Sequence, residues 1–508
     1  MTTGDLFGLL NLSPEADAAM VAEAATRLAA RFDPRRNPHP LAALEHRRIL
    51  DARARLTDPA ERAAYQTHHA TAAPFTLTPL LSRRHIPAAD EPQVVYALVD
   101  IGLAGCDDGP TAVPVNVSVV IDRSTSMLGP RLDQAKSGLD EILSALRAQD
   151  VISVIAFSDR AETIVSAHPG SPEHKRLART KVAGMRAGGG TEIMRGLIRG
   201  LLEMHNHNTP GTLSHLLLLT DGETYGDEAE CLLLAALAAA DGITITGLGI
   251  GSEWNDRFLD ELTASTGGSA KLARTPEQVR DFLLNHLASL NLTAAERLRL
   301  DIIPDAGVTV EQAFRFTPDP TPLPLDGRGA HLGGLPHGSP IRVLLKFRLE
   351  ASVPGSVHLA RLSVSGDIAR LGRRGARNVI DLELTAVAGR PATEPPGPLV
   401  DALSRLAQYR LQDQAAQATE RGDYGEASRA MTTLGTRLLA AGQTELARVA
   451  IAEAKRIEAT QMMSAEAKKQ LKYGTRALLM PGDDRVRADA ASPSPLSSQP
   501  ATPGGRVG

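Results

Sequence analysis

The sequence predicts a multidomain α/β protein, with a doubly wound parallel sheet inserted into a β-sandwich between an N-terminal helical module and a C-terminal helical region. Three observations predict it. The chain has 508 residues, too many for one domain at roughly 100–200 residues each. Between 113 and 287, apolar runs without polar alternation are separated by helical stretches, the pattern of a parallel sheet covered on both faces. On either side, at 93–101 and over 296–388, strands joined by Gly- and Pro-rich turns read as one antiparallel sandwich interrupted by the insert.

Residues 5–70 come first. Ala, Leu, Arg and Glu dominate there, and Pro34, Pro38 and Pro40 stop the helical pattern, so the flanking segments form a helical hairpin. Leu28 and Phe32 before the loop, and Leu44, Ile49, Leu50 and Leu56 after it, are the apolar positions expected to face inward. The alternating segment opens with a β-branched strand at 113–121 that ends at Asp122. A helix at 130–147, strands at 151–157 and 162–166, a helix at 192–204 and a strand at 216–219 follow. A helix at 227–240, a strand at 243–250, a helix at 256–265, a short strand at 270–273 and a helix at 276–287 complete it. Strands at 298–303, 341–347 and 357–364 belong to the sandwich. After a proline-rich linker near 391–398, residues 399–478 return to helical periodicity, with breaks at 421–424 and 441–443 dividing three helices. The Ser-, Pro-, Gly- and Arg-rich end is expected to be disordered. The resulting domains are 1–72, 74–105 with 296–388, 112–290, 396–480 and a tail at 481–508.

Composition excludes several classes. Hydrophobic residues make up 43% and charged residues 22%, an ordinary globular mix. Lys+Arg 55 against Asp+Glu 59 gives a formal charge of −4, so there is no global basic field to hold nucleic acid or an anionic membrane. Two cysteines, Cys106 and Cys231, frame neither a disulfide scaffold nor a zinc cage and fit a reducing compartment. The start, MTTGDLFGLL, lacks the basic region of a secretory signal. No apolar stretch approaches the about 20 residues that span a bilayer. The expectation is a soluble, cytoplasmic protein.

The chemistry concentrates at the carboxyl ends of the parallel strands, where open α/β sheets bind ligands. The first strand delivers Asp122, followed by Ser124 and Ser126. Thr191 follows Gly188, Gly189 and Gly190 and opens a helix, and Asp221 ends the strand at 216–219. Two carboxylates and three hydroxyls, with no His or Cys, make a hard-oxygen set suited to Mg²⁺ or Mn²⁺. A Ser-rich turn after a strand is by itself more often a helix cap; five such elements in order, each at a strand end or helix start, argue for a metal. Arg123 lies inside the motif and is expected to point away from the ligands. Glu192 and Glu223 read as first-turn or surface groups rather than general bases. Residues 247–251 lack the Gly-x-Gly-x-x-Gly spacing of a dinucleotide loop.

These pieces resemble the von Willebrand factor type A domain, whose fold is doubly wound and Rossmann-like. The resemblance implies a metal-ion-dependent adhesion site at Asp122, Ser124, Ser126, Thr191 and Asp221, holding Mg²⁺ (or Mn²⁺) with one position open for a partner's carboxylate. The strand-plus-glycine segment at 247–251 also fits the family's fifth strand. A second resemblance lies at the amino end. Residues 5–10 with 13–16, and 56–65, look like the opening and close of a J-domain, a family that engages DnaK-type chaperones through a His-Pro-Asp triplet. Here the triplet is Asp33, Pro34 and Arg35, which implies a retained fold without co-chaperone activity. In organisation the chain also looks like bacterial type A proteins related to calcium-activated chloride channel regulators and inter-alpha-trypsin-inhibitor heavy chains.

The sequence therefore points to a non-enzymatic, bacterial-type scaffold or adaptor that binds a protein partner through Mg²⁺. No nucleophile with a neighbouring base, phosphate loop or zinc motif accompanies it, and neither nucleic acid nor membrane is an expected partner. The rival is a regulator of a DnaK-type chaperone system acting through residues 5–70.

Overall fold

A computed structural model describes residues 5–69, 74–104, 113–209, 211–224, 226–290, 292–325, 327, 329–368, 371–389 and 394–479. Cys106 and the tail at 481–508 lie outside them. The chain opens with helices α1 (Leu6–Leu9), α2 (Ala18–Arg31), α3 (Ala42–Thr57) and α4 (Pro59–His69). Asp17 starts α2 by accepting a hydrogen bond from the Met20 N–H at 2.8 Å, filling one of the orphan donors of the first turn. Leu28, Phe32, Ile49 and Leu56 are buried. Leu44 and Leu50 are not, being 38% and 42% exposed, which corrects the inward face read from sequence. The buried stripe of α3 runs Ala42, Glu45, Ile49, Ala52, Leu56, and an acidic residue fills the place that pattern reading assigned to leucine.

Strands β1 (Phe75–Leu81), β2 (His85–Pro87) and β3 (Gln93–Leu103) follow. The chain then enters the α/β segment through β4 (Val115–Asp122), α5 (Pro130–Ala145), β5 (Val151–Phe157), β6 (Ala161–Pro169) and α6 (Pro172–Ala183). It continues with α7 (Ile193–His205), β7 (Leu213–Thr220), α8 (Glu228–Ala240), β8 (Thr244–Ile250), α9 (Asp256–Ala264), β9 (Ala270–Ala273) and α10 (Pro276–Leu290). The six strands are ordered β6-β5-β4-β7-β8-β9. All pairs are parallel except β5 with the edge strand β6. Every residue of β4, β5 and β7 is buried. Val117 and Val119 pack with α5 and α10 on one face, while Val120 packs with α7, α8 and α9 on the other. Both faces are covered, so polar alternation has no place in these strands. Helix α6 was not legible: it buries only Ala178 and Val182, too few positions to set a period.

Beyond it come β10 (Thr293–Pro304), β11 (Val308–Arg315), β12 (Thr321–Pro322), β13 (Ala330–Pro336), β14 (Ile341–Leu349), β15 (Gly355–Ile368) and β16 (Arg373–Val387). They join the early strands in two five-stranded sheets, β1-β3-β14-β11-β12 and β13-β10-β15-β16-β2. β3 and β14 lie side by side with Ile101 opposite Ile341, so the chain leaves this sheet, builds the α/β segment and returns to it. Phe75, Val95, Val99, Leu300, Phe347 and Leu362 share one core between the sheets.

Among the described residues four helices follow, α11 (Gly397–Glu420), α12 (Tyr424–Ala440), α13 (Thr444–Thr460) and α14 (Ala465–Ala477), where sequence breaks indicated three. The unread break lies at Gln461, which takes a left-handed φ of 56° without being glycine, and at Ser464, which caps α14 by accepting from the Ala467 N–H at 3.2 Å. Helix α14 folds back onto the α/β segment. Lys469 donates to the carbonyls of Ser252 and Trp254, Lys472 pairs with Asp256 and Asp260, and Arg476 forks onto Asp260 at 2.7 and 2.8 Å. Among the described residues no helix is long and apolar enough to cross a membrane.

Candidate metal centre

Asp122 is the last residue of β4 and is fully buried. Its Oδ1 accepts from the Ser124 N–H at 2.8 Å, and its Oδ2 accepts from the Thr220 hydroxyl at 2.8 Å. Burial pushes its carboxyl up to about 6; the hydrogen bonds from Ser124 and Thr220 oppose the rise, and the neighbouring charge of Asp221 adds to it. A short 3₁₀ turn, Thr125–Met127, brings Ser126 back beside Ser124, their hydroxyl oxygens 3.0 Å apart. Ser126 Oγ donates to Asp221 Oδ1 at 2.7 Å, and Ser124 Oγ lies 3.5 Å from the same oxygen. Asp221, one residue past β7, is 1% exposed. Four of the five residues singled out in the sequence thus form one hydrogen-bonded group of oxygens.

Thr191 reaches the same place from another loop. Gly188 donates to the Arg123 carbonyl at 2.7 Å, and the Thr125 N–H donates to the Gly189 carbonyl at 3.1 Å, which holds the glycine loop against the motif. Gly189 has φ 93°, and a Cβ there would stand 2.8 Å from the Asp159 carboxylate, so only glycine fits. Thr191 is buried, and its hydroxyl lies against Gly222: a Cβ at Gly222 would be 3.0 Å from it. The start of α7 is pinned from outside, the Ile193 N–H donating to Thr224 Oγ1 at 3.2 Å and the Met194 N–H to Asp227 at 3.0 Å. That pinning holds Thr191 against Gly222, the residue that follows Asp221.

The remaining candidates fall elsewhere. The Arg123 side chain turns to Glu162 at 3.1 Å, away from the two aspartates. Glu192 pairs with Arg195, and Glu223 is exposed. Gly247 and Gly249 give room to Leu259 and Trp254; a Cβ at Gly249 would stand 1.9 Å from the indole. Cys231 is buried, and burial pushes its thiol well up, leaving it unreactive.

Two residues escaped the sequence reading. Thr220 supplies Asp122 with a hydroxyl, and its signal was the parallel register: Ile121 lies opposite Leu219, so Asp122 meets Thr220. Arg131, in the first turn of α5, reaches across to Asp221, forms an ion pair with its Oδ2 and lies 3.4 Å from the Ser126 carbonyl. Nothing local in the sequence marks that reach. Among the described residues no group of three or more His, Cys, Asp and Glu is arranged to hold a metal. The donor set here is instead two carboxylates with hydroxyls, which suits a hard cation that retains water.

Comparison with known proteins agrees with this architecture. Residues 116–288 match the family model of the von Willebrand factor type A domain, and residues 397–481 match that of the Sll0103-like C-terminal alpha-helical domain. The uncharacterized protein sll0103 of Synechocystis sp. is 31% identical over 276 residues, 52% of this chain and 64% of that protein. Human inter-alpha-trypsin inhibitor heavy chain H4 is 32% identical over 173 residues, 32% of this chain and 19% of its own. The chain thus matches less than two thirds of the length of these relatives. A solved von Willebrand factor type A structure from Catenulispora acidiphila shares the fold over 79% of this chain and 96% of its own, with a TM-score of 0.62 at 16% identity. The likeness in fold therefore extends beyond the type A domain itself.

Proposed function

We propose that this protein is a non-catalytic scaffold whose type A domain binds a protein partner through a divalent cation, Mg²⁺ or Mn²⁺, held by Asp122, Ser124, Ser126, Thr191 and Asp221. One observation carries the reading. Asp122 is a fully buried carboxylate at a strand end, held only by uncharged donors, with the hydroxyls of Ser124 and Ser126 and a second buried carboxylate gathered beside it. A cation is the group that such a set of oxygens accommodates. Mg²⁺ keeps much of its water and takes few direct protein ligands, so hydroxyls and two carboxylates suffice. When bound, the ion would supply a Lewis-acidic position for a carboxylate oxygen of the partner. The chain's own part is to orient the hydroxyls through the 3₁₀ turn, to hold Asp122 by Thr220, and to keep the glycine loop closed over the motif.

The chaperone-regulator reading draws no comparable support. Asp33 and Arg35, which stand where a J-domain has its His and Asp, pair with each other at 3.0 Å, and each charge is cancelled by the other. The hairpin is also docked: the Asn37 amide donates to the Pro304 carbonyl at 2.9 Å, and Arg31 pairs with Asp305 and Asp381.

Metal-dependent melting tests the proposal. At about 100 times the dissociation constant, Mg²⁺ or Mn²⁺ should stabilise the protein by roughly 2.7 kcal/mol. The gain should vanish in Asp122→Ala and in Asp221→Ala. Identical melting curves with millimolar metal and with chelator would rule the site out.

A further inference from the structure

Arg131 sits in the first turn of α5, where the positive end of the helix dipole disfavours a cation. The side chain nonetheless folds inward. Its guanidinium pairs with the buried Asp221 carboxylate, stays within 3.4 Å of the Ser126 carbonyl, and packs against Gly251, where a Cβ would stand 3.1 Å from Nη2. Gly251 has φ 73°, and the same loop is tied from its far side by Lys469 of α14, through the carbonyls of Ser252 and Trp254. Of the two aspartates at the site, Asp221 therefore has an arginine of the chain itself, while Asp122 has hydrogen bonds alone.

We propose that Arg131 is a tethered counter-cation that competes with the metal for Asp221. Resting on the cation reading above, this names a residue that sets the affinity of the site. Without metal, the guanidinium balances Asp221. Metal binding requires the Asp221 oxygens, so the guanidinium must leave Oδ2; with a side chain 37% exposed, it has solvent to turn into. Affinity is lowered by whatever the ion pair contributes. The released guanidinium then stands at the mouth of the site as a second positive charge, so that loading the metal readies the surface for an acidic partner.

The test is calorimetric titration of Mn²⁺ into the full chain, into Arg131→Gln and into Arg131→Lys, with melting in chelator and in saturating Mn²⁺ as a second readout. Loss of an ion pair between a partly exposed guanidinium and a buried carboxylate, worth about 1 kcal/mol, should tighten Mn²⁺ binding about fivefold in Arg131→Gln. In chelator Arg131→Gln should melt below the unaltered protein, and in saturating Mn²⁺ the two should converge. Arg131→Lys, which keeps the charge, should bind with affinity between the two. Equal or weaker Mn²⁺ binding by Arg131→Gln, with the unaltered protein binding normally, overturns the competition and leaves the metal site standing. Absence of binding in all three overturns the metal site and the competition together.

Discussion

Glu45 and Asp122 are equally shielded from solvent, yet their carboxyls are displaced in opposite directions. Burial pushes both up. At Glu45, where α3 meets the two-sheet unit, Arg377 at 2.8 Å and Arg361 at 3.2 Å reverse the push and hold the carboxyl below its ordinary range. Asp260 beneath α14 behaves like Glu45, burial being outweighed by Arg476 and Lys472. At Asp122 the hydrogen bonds from Ser124 and Thr220 leave burial dominant, and the carboxyl stands at about 6. Glu45 and Asp260 join parts of the fold, and the chain supplies arginines and lysines for both. Asp122 is not served in this way, and neither is Glu296 on β10, which burial pushes up to about 7. Asp122 differs in lying at the carboxyl end of the central strands with Ser124, Ser126 and Asp221 beside it. The raised carboxyl together with the oxygens gathered around it supports the cation proposed for that end of the sheet.

Removing a guanidinium from the compensated region should break the contrast most strongly. Arg361 is fully buried and serves both Glu45 and Asp381. Arg361→Leu leaves those carboxylates short of a partner, and breaking a buried pair costs about 3–5 kcal/mol. Scanning calorimetry should show earlier melting of the N-terminal helices with the two-sheet unit; an unchanged profile would mean that the cluster contributes no stability.

Acidity sharpens the comparison at the next level. In chelator, Asp122 holds its proton more tightly when folded, at about 6 against its ordinary 3.8. Its favourable contribution is therefore complete below about pH 4 and is lost as the pH rises through 6, a change on the order of 3 kcal/mol. Glu45 runs the other way: its depressed carboxyl adds stability above its ordinary range, lost as the pH falls through the folded value. Urea midpoints for the unaltered protein and Asp122→Asn between pH 4 and 7 isolate the first effect. Parallel curves would show that Asp122 carries no uncompensated charge.

The smallest effect is expected at the exposed loop. Arg35 is exposed and Asp33 partly buried, the two pair with each other beside a hydrogen bond from the Arg35 N–H, and surface pairs contribute little. Asp33→Ala and Arg35→Ala should leave the melting temperature unchanged. A measurable drop in either would make the loop part of the docked surface, alongside Asn37.

Much of the candidate site was legible because its signals are local. Asp122, Ser124 and Ser126 fall within one turn of chain after a β-branched run, and Thr191 and Asp221 each mark an element boundary. Thr220 and Arg131 were not, since one depends on strand register and the other on the reach of a long side chain between elements. The same distinction runs through the fold. β16 went unread because Arg373, Arg377, Asn378 and Asp381 break its apolar pattern, yet Arg377 and Asp381 are the residues that meet the N-terminal helices and their partner Arg361.

By itself the sequence determined the α/β alternation, the hairpin of α2 and α3, and the oxygen-rich motif at the strand ends. Those follow from periodicity and turn chemistry, interactions between residues a few positions apart. Tertiary structure alone decided the balance of charge. Glu45 finds Arg361 and Arg377 316 and 332 residues away, Asp260 finds Arg476 216 residues away, and Asp122 finds only hydroxyl and amide donors. A buried charge is stabilised by whatever the fold brings within a few ångströms, and no local pattern of apolar and polar residues records which distant side chain that is.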